Sequence, residues 1–357
     1  MKEQSQRRVC DLIPTVVFND RPTCKDRHAA ELILAMSTGL HQNAEYIAAD
    51  LSSRPNPSLR SRGGPYIVGI KLDRLSRLRW LVNHIFVGVW EDFVDLKLTD
   101  KVALVTGSTA GIGLAIAQAL ATEGAYVYVN GRTQQRVDAA MAAIRSHAAT
   151  VKVEGIVGDF SSAAGAEAVI SKVPMVDVLV NNVGIFEPKP FAEVTDADWY
   201  RFFEINVMSG VRLARHYLAG MLKKNWGRIL FISSESAVQI PPEMVHYGMT
   251  KTAQVAVARG IAESVAGTGV TVNSVLAGPT ESEGVSVFVE AIATQQNKSK
   301  QAIEKEFFEH VRPSSLLKRF ATVDEVAAMV TYLAGELSSA TNGAALRVDG
   351  GVVKAIL

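Results

Sequence analysis

The sequence predicts an α/β fold: a doubly wound parallel sheet of about seven strands with helices on both faces. Three observations carry this. From Asp95 onward, short β-branched runs alternate with alanine-rich stretches. Several runs, "VALV" and "ILFI" among them, are apolar at consecutive residues rather than at every second one, as strands buried on both faces are. The stretches between them space apolar residues three and four apart, as helices lying on a sheet do.

In chain order, "VALV" (102–105) is the first strand, and "TGSTAGIG" (106–113) follows it with three glycines in eight positions. "GLAIAQALATEGA" then has the helical spacing, "YVYVN" (126–130) is the second strand and "RVDAAMAAIRSHA" the second helix. "KVEGIV" (152–157), "DVLVN" (177–181), "RILFIS" (228–233), "VTVNSV" (270–275) and "ALRV" (345–348) complete the set. No repeat of fixed period interrupts the series, and one domain of about 260 residues accommodates it.

Composition excludes several classes. The chain has 357 residues, 48% hydrophobic and 20% charged, with 37 basic residues against 36 acidic ones, so no overall field favours nucleic acid or a membrane surface. Both cysteines, Cys10 and Cys24, lie near the start, which rules out a disulfide framework or a cysteine-ligated zinc in the main body; no metal site is expected. No run of 18 apolar residues exists and the opening lacks a secretory signal, so a cytoplasmic location is expected.

Residues 1–93 differ from the rest, carrying a net charge of +3 against −2 for the remaining 264. "SSRPNPSLRSRGGP" (52–65) reads as linker or disorder, and "LSRLRWLVNHIFVGVWEDF" (75–93) as a segment that could dock on a surface. We expect an atypical N-terminal extension over 1–93, disordered or belonging to a mis-called upstream start, and the catalytic domain over 94–357.

The glycine loop lies between a strand and a helix, the context in which such a loop binds a dinucleotide. Gly107 allows the tight turn, Gly111 lets the backbone approach a pyrophosphate, and Gly113 lets the helix pack on the sheet, so the fold is expected to be Rossmann-like. After the second strand comes "VNGRT". Asn130 is read as occupying the position where an acidic side chain would hold a ribose 2′-hydroxyl, and Arg132 offers a cation to a 2′-phosphate; NADP(H) is favoured, with NAD(H) possible.

"YGMTK" (247–251) places Tyr247 and Lys251 one helical turn apart on one face. A neighbouring ammonium favours the phenolate and makes the tyrosine a usable acid or base. Ser234, at the end of "RILFIS", projects into the crevice where doubly wound sheets bind ligands. Asn206, in "EINVMSG", is polar inside an apolar helical stretch and needs a partner.

With "GDF" (158–160), "NNVG" (181–184), "NVMSG" (206–210), "ISS" (232–234) and "VDGG" (348–351) in this order, the chain from about Asp95 to Leu357 resembles the short-chain dehydrogenase/reductase (SDR) family, single-domain and 3-oxoacyl-carrier-protein-reductase-like. The resemblance implies a catalytic tetrad of Asn206, Ser234, Tyr247 and Lys251. Ser234 would polarise a substrate carbonyl and Tyr247 would give it a proton as hydride arrives. Lys251 would bind the nicotinamide ribose and lower the tyrosine pKa, and Asn206 would hold a water of the proton relay.

It further implies cofactor contacts at Gly107, Ser108, Ala110, Gly111, Ile112 and Gly113, at Asp159 and Phe160 beside the adenine, at Asn182 to Gly184 along the ribose, and at Tyr247 and Lys251. "LAGPTES" departs from the family's Pro-Gly: Gly278 precedes the displaced proline, and Thr280 or Ser282 could reach the carboxamide. The stretch from Gly278 to Arg319 reads as a helical lid, with Phe288, Phe307 and Phe308 either facing substrate or packing the lid down, and "QQNKSKQ" as an exposed bend.

The implied reaction is NADPH-dependent reduction of a ketone to a secondary alcohol in a small-molecule substrate. The alternatives are an NAD-dependent alcohol or polyol dehydrogenase and a non-catalytic dinucleotide sensor, the latter disfavoured because the tetrad is complete. A homo-oligomer, tetramer or dimer, is implied as well.

Overall fold

Alternation of apolar side chains across both faces of every central strand is what builds this molecule. The computed structural model describes residues 94–147 and 150–356, with residues 287 and 288 described by backbone alone; the expected extension over 1–93 lies outside the described residues. Seven parallel strands form the main sheet: β1 (Val102–Val105), β2 (Tyr126–Gly131), β3 (Lys152–Val157), β4 (Val178–Asn181), β5 (Gly227–Ser234), β6 (Val270–Ala277) and, last in the chain, β9 (Ala345–Val348). Their spatial order is β3-β2-β1-β4-β5-β6-β9. Two-residue strands β7 (Thr280–Glu281) and β8 (Ala321–Thr322) pair separately, closing the base of the lid.

Both faces of the sheet are covered. On β1, Ala103 and Val105 join a cluster with residues of α1 (Gly111–Thr122), α2 (Gln134–His147) and α9 (Val323–Ala334). Leu104, between them, joins the opposite cluster with α3 (Ala163–Lys172), α5 (Ser209–Lys224) and α6 (Val245–Ser264). On β5, Leu230 and Ile232 face the first cluster and Ile229 and Phe231 the second. Period-two alternation within the apolar stretches of these strands thus yields two cores, the arrangement the sequence predicts.

The strand order reverses at β1, which pairs with β2 on one side and β4 on the other. Doubly wound sheets open a crevice at the carboxyl ends of the strands flanking such a switch point. Thr106, Asn182 and Ser234 lie at or just past the ends of β1, β4 and β5, so the polar residues singled out by sequence meet at that edge.

Candidate active site

The glycine loop after β1 is shaped as its sequence requires. Gly107 and Gly111 have φ of +60° and +55°, conformations that L side chains resist. A Cβ on Gly113 would stand 2.4 Å from the carbonyl oxygen of Gly107, so only glycine lets α1 close on the loop. Ala110 is the N-cap of α1 and gives it no side-chain cap, and its first turn holds no acidic residue. The open N–H groups and positive dipole end form a cradle that fits a pyrophosphate. Ser108 is wholly buried and donates its hydroxyl to the carbonyl of Val105 at 2.7 Å, bracing the loop from beneath.

Asn130 requires a correction. Its side chain does not face a ribose: it is 1% exposed, accepts from the Gly107 N–H at 3.0 Å, and donates to the carbonyls of Ile156 and Gly158, each at 3.2 Å. It locks the glycine loop to β2 and β3. The next residue, Gly131, points at the loop instead, where a Cβ would lie 2.4 Å from Cγ2 of Thr109. A side chain at 131 is shut out unless Thr109 moves, and exposed Arg132 follows directly.

Other expected cofactor residues divide between surface and scaffold. Asp159 is exposed and accepts from the Ser161 N–H at 3.0 Å, whereas the ring of Phe160 is buried in the core, leaving only its backbone for a ligand. Asn182 donates to the carbonyls of Thr106 and Gly107, both at 3.0 Å, which ties β4 to the loop. A Cβ on Gly184 would come within 3.4 Å of Lys251 Nζ and 3.5 Å of Asn206 Oδ1, so this glycine keeps the floor between them open. Gly278 donates its N–H to Val348. The Thr280 hydroxyl donates to the Gly278 carbonyl at 2.9 Å, and Ser282 caps α7 (Glu283–Gln296) by accepting from the Val285 N–H.

Ser234, Tyr247, Lys251 and Asn206 come together. Lys251, 5% exposed, donates to the Ile232 carbonyl at 3.0 Å and to Gln254 Oε1 at 3.2 Å, and its Nζ stands 5.6 Å from the centre of the Tyr247 ring. Asn206 lies in a π-turn (Glu204–Met208) between α4 (Asp196–Phe203) and α5, a wide turn frequent at functional sites. Its amide is fully used: Oδ1 accepts from the Ile185 N–H at 2.8 Å, and Nδ2 donates to the Ile185 carbonyl and to Thr250 Oγ1, both at 3.0 Å. Its backbone carbonyl accepts from Gln254 Nε2 at 2.6 Å. The Gln254 side chain, which sequence reasoning passed over, thus joins Lys251 to the Asn206 backbone.

Electrostatics here differ from the expectation at Tyr247. Burial pushes its phenol above the ordinary range, Glu235 adds to this, and Ser234 and Arg312 oppose it. Burial likewise pushes Lys251 down to about 8, against the attraction of Glu235. Desolvation of the phenolate leads these effects, and Tyr247 rests as a neutral proton donor.

Two further residues enter the site unassigned by sequence. The Ser234 hydroxyl donates to Glu235 Oε2 at 2.5 Å, and Glu235 Oε1 accepts from Arg312 Nε at 3.2 Å. Arg312 comes from the lid, which consists of α7, α8 (Lys300–Glu306) and a π-turn (Phe307–Val311). Asn297, in the left-handed conformation, and Ser299, capping α8, form the expected exposed bend. Phe307, Phe308 and Phe320 pack on one another with centroids 5.1–5.2 Å apart, so Phe307 and Phe308 hold the lid together; the side chain of residue 288 lies outside the described residues.

Comparison with known proteins agrees with this geometry. The family model for short chain dehydrogenases matches residues 101–292. The oxidoreductase YvaG of Bacillus subtilis (strain 168) is 44% identical over 261 residues, covering 73% of this chain and 99% of the relative. The 3-oxoacyl-[acyl-carrier-protein] reductase FabG of Aquifex aeolicus (strain VF5) is 32% identical, covering 72% of this chain and all of that one. Among solved structures, L-sorbose reductase from Gluconobacter frateurii, complexed with NADPH and L-sorbose, superposes with a TM-score of 0.70 at 29% identity, over 74% of this chain and all of that one.

Proposed function

The chain belongs to the short-chain dehydrogenase family, an oxidoreductase acting between alcohol and carbonyl groups with NAD(P), and on that premise we propose that it reduces a ketone to a secondary alcohol with NADPH. One observation carries the reading: a neutral, half-buried tyrosine, a lysine on its own helix face and a strand-end serine meet beside a glycine loop whose helix N-terminus is uncapped.

The loop backbone at Gly107, Gly111 and Ile112 would hold the pyrophosphate, and Arg132 would meet a 2′-phosphate. Exclusion of a side chain at Gly131 supports NADPH over NADH, because no acidic group can stand there without displacing Thr109. Bound NADPH supplies the hydride. Ser234 donates a hydrogen bond to the substrate oxygen and Tyr247 delivers its proton to that oxygen as negative charge develops, which is general acid catalysis assisted by an oriented dipole. Lys251, anchored on the Ile232 carbonyl, would bind the nicotinamide ribose and stabilise the phenolate left when Tyr247 gives up its proton. Phe186, edge-on to the Tyr247 ring at 6.5 Å and half-exposed, lines the mouth and favours substrates with an apolar side.

The test is consumption of NADPH and NADH with 3-oxoacyl thioesters, cyclic ketones, quinones and sugar-derived ketones including L-sorbose. We expect NADPH turnover with at least one, and a loss of three or more orders of magnitude in Tyr247→Phe with cofactor affinity kept. Turnover that survives in Tyr247→Phe would remove the proposed proton donor. Cofactor binding without any turnover would instead favour the sensor.

A further inference from the structure

Glu235 and Arg312 form an ion pair that no part of the proposed reaction uses, and it touches the reaction's own serine. Both side chains are buried, at 4% and 9% residue exposure. Burying a carboxylate this deeply is costly unless a cation is paired with it. The cation arrives from the lid, and a second carboxylate, Glu243 on the opposite wall, steadies it at 3.6 Å. Serine has a single hydroxyl proton, and here it goes to Glu235, while Ser234 Oγ accepts from the Ser236 N–H at 3.1 Å.

We propose that Glu235 is a positioning residue through which the lid governs the catalytic serine. Arg312 fixes the carboxylate, and the carboxylate fixes where the Ser234 proton points. With the lid seated, Arg312 shares the carboxylate's charge and loosens its hold on the hydroxyl, so a substrate oxygen can compete for the proton. With the lid withdrawn, Glu235 loses its cation and holds the serine hydroxyl more tightly. Lid closure and serine orientation are then one equilibrium rather than two. The inference rests on the reading of Tyr247 as proton donor.

The same pair sets the charge around the tyrosine. Glu235, from the turn after β5, and Arg312, from the lid, face Tyr247 with opposite effect, and Glu235 also faces Lys251. Glu243 acts through Arg312. His246, next to Tyr247 in sequence, turns away between Trp199 and Phe202.

Reduction requires the protonated tyrosine, so its rate falls as pH rises through the ionisation of the Tyr247–Lys251 pair. Removing the negative charge lowers that ionisation and removing the positive charge raises it. The experiment is the pH profile of kcat for the full-length protein with NADPH, using L-sorbose and a 3-oxoacyl thioester as probes. Glu235→Gln should move the alkaline limb down by about one pH unit and Arg312→Met should move it up by a similar amount. The double variant should return near wild type, which a folding defect cannot imitate. Arg312→Lys keeps the charge but not the Nε geometry, and should leave the limb in place while kcat falls several-fold. Should Arg312→Met not fold, Arg312→Lys and Glu235→Gln carry the test.

Limbs that stay put, shift in the same direction, or fail to return in the double variant overturn the inference. If Tyr247→Phe retains turnover, or neither probe is reduced by the wild type, the underlying reading falls and this inference with it. Loss of turnover in Tyr247→Phe with unmoved limbs in the pair variants sinks only the role of Glu235.

Discussion

Lys251 holds its charge in surroundings that resist it, and stability should record the conflict. Its folded-state pKa near 8 lies below the ordinary lysine value of 10.5. Below pH 8 both folded and unfolded chains bind the proton, and the full desolvation cost weighs on the folded state. Between pH 8 and about 10.5 the folded chain binds fewer protons than the unfolded one, so this group's contribution to stability rises with pH. Denaturant unfolding of wild type and Lys251→Met from pH 7 to 10 should therefore show the stability of wild type gaining on the variant as pH climbs; a constant difference would mean that the lysine is not strained. That Ser234, Tyr247 and Lys251, three of the proposed tetrad, could share one crevice was legible because spacing along a helix and a strand-end position are local facts. Asn130 was misread because alternate residues of a strand point to opposite sides, and at a strand end one position decides between a ligand contact and a scaffold bond. Glu235 and Arg312, 77 positions apart, meet only once the lid folds over the sheet.

Strands and helices were legible wherever the apolar period ran for four residues or more, and all seven sheet strands fall within one or two residues of their predicted ends. The pair β7–β8 was not, because two residues carry no period and its pairing crosses the whole lid. The π-turn around Asn206 reads in sequence as continuous helix, since one extra residue per turn barely disturbs the apolar spacing. Elements are also joined by groups with no periodic signature. Arg228, 1% exposed at the start of β5, has no carboxylate partner among the described residues; its guanidinium donates to the carbonyls of Gly227, Gly269 and Gly335 and lies over the Trp226 ring. It thereby ties β5 to the loop before β6 and to the end of α9. Arg228→Met keeps the apolar stem but leaves three carbonyls short of a donor, and should cost about 2–4 kcal/mol in urea unfolding. A cost below about 0.5 kcal/mol would show that water replaces the guanidinium at no loss.

At the scale of the molecule, the sheet, the helices that cover it and the groups proposed to act share one stretch of the described residues. Helices on both faces of the sheet belong to residues 111–334, the last strand ends at Val348, and every group proposed to act, from Gly107 to Arg312, lies inside these limits. The 3-residue excess of basic over acidic side chains before residue 94 gives way to a slight acidic excess after it, so the two parts also differ in the field they present. A sheet whose two faces are each covered by three helices has its apolar surface already buried. A chain beginning at Val94 should accordingly unfold within about 2 °C of the full-length protein, because for a domain of this size that interval corresponds to less than about 1 kcal/mol. Its kcat/KM for NADPH-dependent reduction should match that of the full-length protein within about twofold. A drop of tenfold or more in kcat/KM at unchanged melting temperature would assign the first 93 residues a part in the reaction; a fall in melting temperature with it would make them part of the fold.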